Sequence, residues 1–310
     1  MPELRKDYIL DRYVIIATER AKRPDQFKGH RKEQERCEDC YFCPGHEDNT
    51  PSEILRIERD GRWLIRAFPN KYSAVLPAGN PYIRTADTFF TYADAYGFHE
   101  VIVETPDHYA QLWDLPAWHL KELLKVYSSR VEVLSSRPGV RYVCVFKNSG
   151  EDAGTSILHT HSQVIACNLV PLEVQELEKA SQDSCPYCRI IEIEKRSDRR
   201  CFEDEHISAF TPYASRFAFE IQIVPKRHVT QLVHLHEEEL DSLAGMLQKA
   251  LLRLRELNAS YNLLLHYGVR NSHLRLTIAP RLARWAGFEL SSGMIINSMP
   301  PEKAAEFYRS

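Results

Sequence analysis

Two short cysteine pairs, each followed by the same two histidines, constrain this chain more than any other feature. Cys40-Tyr-Phe-Cys43 precedes His108, in Pro-Asp-His, and then His159, which follows a long helical stretch. Cys185-Pro-Tyr-Cys188 precedes His228, in Pro-Lys-Arg-His, and then His273, again after a long helical stretch. A Cys-x-x-Cys knuckle puts two thiolates on one tetrahedral ion, with Zn–S near ~2.3 Å. The two sets run in the same order against the same pattern of elements. That order indicates an internal duplication with one metal per half, so two zinc ions per chain are expected. Cys37 forms a second Cys-x-x-Cys with Cys40, which leaves the register of the first knuckle open. For the second pair the alternative is a couple of reduced core thiols.

The segment Asn148 to Gln163 carries the chemistry. It leaves an apolar β-type run, Val140 to Phe146, through a polar loop containing Gly150 and Gly154. His159, His161 and Gln163 then alternate into Val164-Ile165-Ala166. In a strand, residues i, i+2 and i+4 share a face. Two imidazoles and an amide therefore point one way, just beyond a loop able to present backbone N–H groups. That arrangement suits an anion, a nucleophilic imidazole and an amide donor around one phosphorus. A histidine-rich edge strand is the bland alternative, and the duplicated quartets argue against it.

The 310 residues fit two ordinary domains or one duplicated unit. A net charge of −3 offers no footprint for nucleic acid and no polybasic membrane patch. No apolar run is long enough to span a bilayer, and the N-terminus lacks the apolar core of a signal peptide. Paired cysteines with distant histidines read as metal ligands in an intracellular chain, so a cytoplasmic protein is expected. The periodicity predicts strands over 12–17, within 53–75, and over 99–104, 140–147 and 159–166. Asp114 is expected to cap a helix running to about Arg137. Helices over 172–180 and 186–195 follow. The second half repeats the plan, with a strand over 217–224, a long helix over 237–257 and strands over 261–266 and 273–278. A short helix over 303–308 ends the chain. No low-complexity linker separates the halves, so they should pack together.

These residues resemble the galactose-1-phosphate uridylyltransferase branch of the histidine-triad superfamily. The likeness covers nearly the whole chain. It includes Arg20-Ala-Lys-Arg23-Pro, Cys40-Tyr-Phe-Cys43-Pro-Gly, Pro69-Asn-Lys71-Tyr72, His99 to His108, the segment Asn148 to Gln163, and Ala286-Gly-Phe-Glu289. It implies an α+β fold of two fused histidine-triad-like domains, antiparallel sheets with packed helices, over residues 1–170 and 171–310. It also implies a homodimer with shared active sites.

By the resemblance, His161 is the nucleophile, and His159 is a zinc ligand with Cys40, Cys43 and His108. Gln163 donates to a phosphoryl oxygen. Asn148, Gly150, Gly154 and Ser156 line phosphates and ribose. Asn70, Lys71 and Tyr72 match the nucleoside pocket, and Arg20 and Arg23 the phosphate-binding arginines. Glu289 matches a sugar-contacting glutamate from the partner subunit. Cys185, Cys188, His228 and His273 form the second metal set.

Several positions depart from the family. His-Pro-His is usual where this chain has His159-Thr160-His161, and a hydroxyl residue there, followed by Ser162-Gln163, resembles the ADP-glucose phosphorylases. The tyrosine expected before Glu289 is Phe288. A sugar-contacting lysine expected near Ala283 is missing, with Arg284 adjacent. His273-Leu274-Arg275 replaces a second His-x-His, so a cysteine–histidine zinc site fits that half better than iron.

The resemblance implies ping-pong transfer from a nucleoside diphosphate sugar to a sugar 1-phosphate, in the first place uridylyl transfer between UDP-glucose and galactose 1-phosphate. The alternative is an ADP-glucose phosphorylase with inorganic phosphate as acceptor. Gln163 disfavours a hydrolase, because an amide can hold a phosphoryl oxygen but cannot do acid–base work. A zinc-knuckle module for nucleic acid is the rival from another class, and the acidic balance opposes it. His99 is expected just behind the site. His30, His46, His119, His206, His234, His236 and His266 read as surface or packing residues, and Cys144, Cys167 and Cys201 as core thiols.

Overall fold

The computed structural model describes residues 2–17, 36–268 and 271–310. Strands β1 (Glu3–Lys6) and β2 (Tyr13–Ile16) form an antiparallel pair. After them come β3 (Leu55–Arg59), β4 (Arg62–Pro69), the exposed hairpin β5 (Arg84–Asp87) and β6 (Phe90–Tyr92), and β7 (Gly97–Val103). Helix α1 (Ala117–Ser135) leads to β8 (Tyr142–Ser149) and β9 (His161–Cys167). Helices α2 (Leu172–Ala180) and α3 (Pro186–Glu194) bridge to the second half. That half comprises β10 (Arg200–Glu203), β11 (Ile207–Phe210), β12 (Ile221–Pro225), helix α4 (Glu237–Glu256), β13 (Tyr261–His266) and β14 (Arg275–Pro280). The chain closes with α5 (Gly287–Ser292), β15 (Ile295–Asn297) and α6 (Pro301–Arg309), and β15 adds parallel to β2.

The two halves share one ten-stranded sheet in the order β10-β11-β12-β14-β13-β8-β9-β7-β4-β3. Read from its centre outward, each half repeats the same five-strand order. The antiparallel seam pairs Leu264 of β13 with Phe146 of β8. Phe146 lies opposite Gln163 in its own half, and Leu264 lies opposite Thr277 in the other. The two residues are therefore equivalents, and a pseudo-two-fold axis runs through their pair. It maps Lys147 onto Leu265, Asn148 onto His266, His161 onto Arg275 and Gln163 onto Thr277. The duplication expected from the cysteine pairs thus appears as a sheet with no gap between its halves, and the fold is α+β with mainly antiparallel strands.

Helices α1 and α4 lie against one face and pack on each other. The i, i+3, i+4 spacing of Leu120, Leu123, Leu124, Tyr127, Val131 and Leu134 puts all six in the core. Full burial of one such leucine contributes about 1.5–3 kcal/mol. Helix α4 starts as its three glutamates suggest, with the His236 backbone N–H donating to Glu239 at 2.8 Å. Among the described residues, no helix is long and apolar enough to cross a membrane.

Three local expectations need correction. Asp114 does not cap α1; its carboxylate takes the backbone N–H of Gln111 at 2.9 Å in a preceding 3₁₀ turn, and Pro116 stands at the N-cap. The strand expected from Phe217 begins only at Ile221, because Phe219 has φ +60° in a turn closed by Glu220 N–H to Phe217 O. His159 and His273 each precede their strand by two residues. The ladder still extends past β9, since the Glu104 N–H donates to Thr160 O at 3.2 Å. Strands β1, β5, β6, β10, β11 and β15 and helix α5 lie outside the elements expected from the sequence.

Candidate active site and metal centres

The first quartet assembles from three separate segments. Cys40 and Cys43 sit on a tight turn, His108 follows β7, and His159 leads into β9. Cys40 Sγ lies 3.5 Å from His159 Nδ1, Cys43 Sγ 3.2 Å from His108 Nδ1 and 3.7 Å from His159 Nδ1. Zn–S near ~2.3 Å and Zn–N near ~2.05 Å at tetrahedral angles put sulfur and nitrogen about 3.5 Å apart. His159 Nε2 donates to the Thr105 carbonyl at 2.8 Å, which leaves Nδ1 bare and aimed at the two sulfurs. All four side chains are buried. Burial pushes the Cys43 thiol well above its ordinary range, a cost that a bound cation reverses. Cys37 stands outside the quartet, its sulfur 2.7 Å from that of Cys43.

The second quartet repeats this geometry. Cys185 Sγ is 3.5 Å from His273 Nδ1, and Cys188 Sγ is 3.5 Å from His228 Nδ1 and 3.9 Å from His273 Nδ1. His273 Nε2 donates to the Pro225 carbonyl at 2.8 Å, as His159 does to Thr105. This cluster is more open, with only His273 fully buried. Both donor sets suit a soft, four-coordinate divalent ion.

His161 stands two residues beyond His159. Its Nδ1–H donates to the His159 carbonyl at 2.8 Å, so Nε2 carries the lone pair. Burial pushes the imidazole pKa down to about 4, with the Lys147 ammonium adding to the effect. The ring is neutral at neutral pH, as a nucleophile must be. Phe42 meets it edge-on at 5.3 Å. Gln163 Oε1 lies 2.9 Å from His99 Nε2. His99 Nδ1 already accepts the Ala74 N–H at 3.2 Å, so its proton sits on Nε2 and goes to Gln163 Oε1. The Gln163 amide nitrogen is thereby left to donate elsewhere. Asn70 Nδ2 lies 3.1 Å from the same His99 nitrogen, which puts Asn70, His99 and Gln163 in one row.

The loop after β8 wraps the end of this row. Gly150 has φ +86°, and a Cβ there would fall 2.2 Å from Ser260 Oγ, so no larger residue fits. Asn262, from the second half, donates to Asn148 Oδ1 at 2.9 Å and to Ala153 O at 3.1 Å. The bond to Oδ1 fixes the orientation of the Asn148 amide. A small cleft lined by Asn148, Gly150, Thr155, His159 and His161 results. An adjoining cavity of about 150 Å³ is lined by Phe42, Phe68, Val101 and Asn70-Lys71-Tyr72.

Not every expected residue joins. Ser156 is exposed and lines neither cavity. Glu289 takes the Ala286 N–H at 2.9 Å, capping its own short helix. Arg284 reaches the loop after β8 instead, pairing with Asp152 at 2.8 Å. Arg20 and Arg23 lie outside the described residues. Of the histidines set aside, His119 is buried and bonded to Glu104 O at 2.6 Å, and His46 Nδ1 meets Cys40 O at 2.7 Å. Cys201 is buried as expected, whereas Cys144 and Cys167 are only half-buried.

One group escaped sequence reasoning. Thr160 and Ser162, between the histidines, face the opposite side of β9. There Glu104 accepts from Thr160 Oγ1 at 2.6 Å, from Lys147 Nζ at 2.7 Å, and from Ser162 Oγ. Lys147 also donates to Thr160 Oγ1 at 2.8 Å and to the His161 carbonyl at 3.0 Å, and Tyr127 closes the set against Ser162. Glu104 is fully buried and Lys147 is 2% exposed. A glutamate directly after the apolar end of β7 and a lysine inside β8 were the available signal. The network grips the strand that carries His161.

Comparisons with known proteins place this arrangement. The family model "Galactose-1-phosphate uridyl transferase, N-terminal domain" matches residues 1–171, and one described as a domain of unknown function (DUF4921) matches residues 119–307. An ADP-glucose phosphorylase of Arabidopsis thaliana is 31% identical across 99% of this chain and 92% of its own length. A galactose-1-phosphate uridylyltransferase of Thermotoga maritima is 28% identical across 80% of this chain and 74% of its own. Among solved structures, an Arabidopsis thaliana ADP-glucose phosphorylase with bound ADP-glucose aligns with a TM-score of 0.83 at 29% identity, covering 100% of this chain and 98% of its own. A uridylyltransferase aligns at 0.74 and 26%, covering 100% and 97%. With its first half matched throughout and a relative above 30% identity along almost its whole length, the chain belongs to the galactose-1-phosphate uridyl transferase family.

Proposed function

We propose that the protein moves a nucleotidyl group from a nucleoside diphosphate sugar through a covalent nucleotidyl-His161. The observation that carries this is the neutral imidazole with its Nδ1–H committed to the His159 carbonyl. Nε2 attacks the α-phosphorus, the bond from that phosphorus to the bridging oxygen breaks, and the sugar 1-phosphate departs. The Nδ1–H bond steadies the positive charge that the ring gains. Gln163, aimed by His99, donates its amide to a phosphoryl oxygen. An acceptor phosphate oxygen then attacks the same phosphorus, the P–N bond breaks, and His161 returns to its starting state. The loop at Asn148 and Gly150 holds phosphate oxygens, with Gly154 and Ser156 farther along it. Asn70, Lys71 and Tyr72 flank the nucleoside, and Arg20 and Arg23 clamp phosphates.

Zn²⁺ fits both quartets, two per chain, and when bound it ties distant segments together without activating water, since all four ligands come from protein. Glu289 serves the sugar of a second subunit in a homodimer.

Uridylyl transfer between UDP-glucose and a hexose 1-phosphate is the first reading, supported by the uridylyltransferases among the relatives. A specific observation favours a second, ADP-glucose phosphorolysis. Thr160 donates a side-chain hydrogen bond to Glu104 that a proline at that position could not make, and the ADP-glucose phosphorylase likeness runs nearly end to end. Incubation with UDP-glucose or ADP-glucose labelled at the α-phosphate, with no acceptor, tests the shared chemistry. The protein should take up acid-labile, base-stable label and release equal sugar 1-phosphate. The donor that labels it, and whether galactose 1-phosphate or phosphate discharges it, separates the two readings. Absence of label from both donors refutes the covalent route.

A further inference from the structure

The second half carries a cavity that the chemistry above does not use. It has a volume of about 60 Å³ and lies under the N-terminal segment. The pseudo-two-fold axis relates it to the catalytic cleft, with Arg275 in the place of His161, Thr277 in that of Gln163 and His266 in that of Asn148. All three line it.

Its charges do not close on themselves. Arg12 pairs with Asp7 at 3.2 Å and with Glu173 at 3.1 Å, and Arg216 lies 4.0 Å from Glu173. Glu220 takes the backbone N–H groups of Arg216 and Phe217 at 2.7 and 3.2 Å. Arg275 has no such carboxylate among the described residues; its guanidinium rests 4.8 Å over the Tyr187 ring. Arg275 and Thr277 are each 5% exposed. Arg275 Nε and Thr277 Oγ1 find no hydrogen-bond partner among the described residues. Leaving a charged donor and a hydroxyl buried and unmet is costly, so acceptor oxygens belong in the space between them. One water needs about 10–15 Å³, so the cavity holds roughly four, close to the size of a tetrahedral oxyanion and too small for a hexose.

We propose that this cavity binds inorganic phosphate through Arg275 and Thr277, as a site separate from the catalytic cleft.

Calorimetric titration of the full-length protein with inorganic phosphate tests this, in saturating glucose 1-phosphate. The sugar phosphate covers the catalytic cleft, and a cavity of about 60 Å³ has no room for its hexose. A phosphate isotherm should persist in the unmodified protein and weaken by roughly tenfold or more in Arg275→Met. Label uptake at His161 and metal content should stay as they were. Thr277→Val, nearly isosteric, should weaken phosphate by several-fold and serves if Arg275→Met fails to fold. A crystal grown in phosphate should carry tetrahedral density against both side chains. Equal isotherms in the unmodified protein and a folded variant, no isotherm at all, or density for water alone would overturn the proposal. None of these outcomes alters the labelling test of the catalytic half, so the two readings fail independently.

Discussion

The two halves of the sheet keep the same metal-type quartet and differ in what lies on either side of the strand beside it. In the first half β9 presents His161 and Gln163 on one face and seats Thr160 and Ser162 on a buried Lys147–Glu104 pair on the other. In the second half Arg275 and Thr277 take the first pair of places. Leu274, Leu276 and Leu265 take those of Thr160, Ser162 and Lys147, all well buried. A cysteine–histidine quartet is therefore compatible with a strand bearing His161 and Gln163 or with one bearing Arg275 and Thr277. The quartet is common to both halves, and the difference lies in the alternation along the strand and in its polar underside. A buried ion pair is a poor way to gain stability and a good way to fix one geometry. The second half has the apolar solution, beside a strand with Arg275 in the place of the imidazole.

The largest expected effect is on that contrast itself. His161→Gly should lower label uptake by on the order of 10⁴-fold or more, with metal content unchanged. Adding Arg275→His to that variant should not restore uptake, because Leu265, Leu274 and Leu276 stand where the first half has its polar underside. Label appearing at residue 275 by peptide mapping would break the comparison.

Lys147→Met should be next. It leaves Glu104 buried and unpaired, at a cost of about 3–5 kcal/mol in urea unfolding. The equivalent Leu265→Met should cost less than about 1.5 kcal/mol. Glu104→Gln in the Lys147→Met background should recover part of the loss. Similar costs for the two single variants would mean that the polar layer is no more than packing.

Metal removal sharpens the division between holding and reacting. Elemental analysis should find about two zinc ions per chain. Cys40→Ser should lose one and most of the label uptake, since His159 gives its carbonyl to His161. Cys185→Ser should lose the other with lowered thermal stability but uptake reduced by less than about tenfold. Loss of both ions in either single variant would show that the halves do not bind metal independently.

The smallest effect concerns aim rather than reaction. His99→Phe removes the proton that orients Gln163 and should lower kcat by roughly tenfold, with KM little changed. Gln163→Glu should lose more, because a carboxylate cannot donate. A KM effect alone would place His99 in binding instead of positioning.

Much of the frame was readable along the chain. Cys-x-x-Cys and His-x-His-x-Gln are local patterns, and a strand's two-residue period says which members share a face before any fold is known. The i, i+3, i+4 leucines of α1 are equally local. Asp114 misled because a capping residue looks the same whether it serves a 3₁₀ turn or the helix behind it. Tertiary structure alone decided that Glu104 meets Lys147, 43 residues on, that Asn262 of one half orients Asn148 of the other, and that Ala74 N–H sets the tautomer of His99. It also decided that Phe146 faces Leu264, which turns two similar halves into one sheet and puts Arg275 in the place of His161. A buried charge reads in sequence only as an oddity in an apolar run. Its partner is chosen by strand order and register, which no local period encodes.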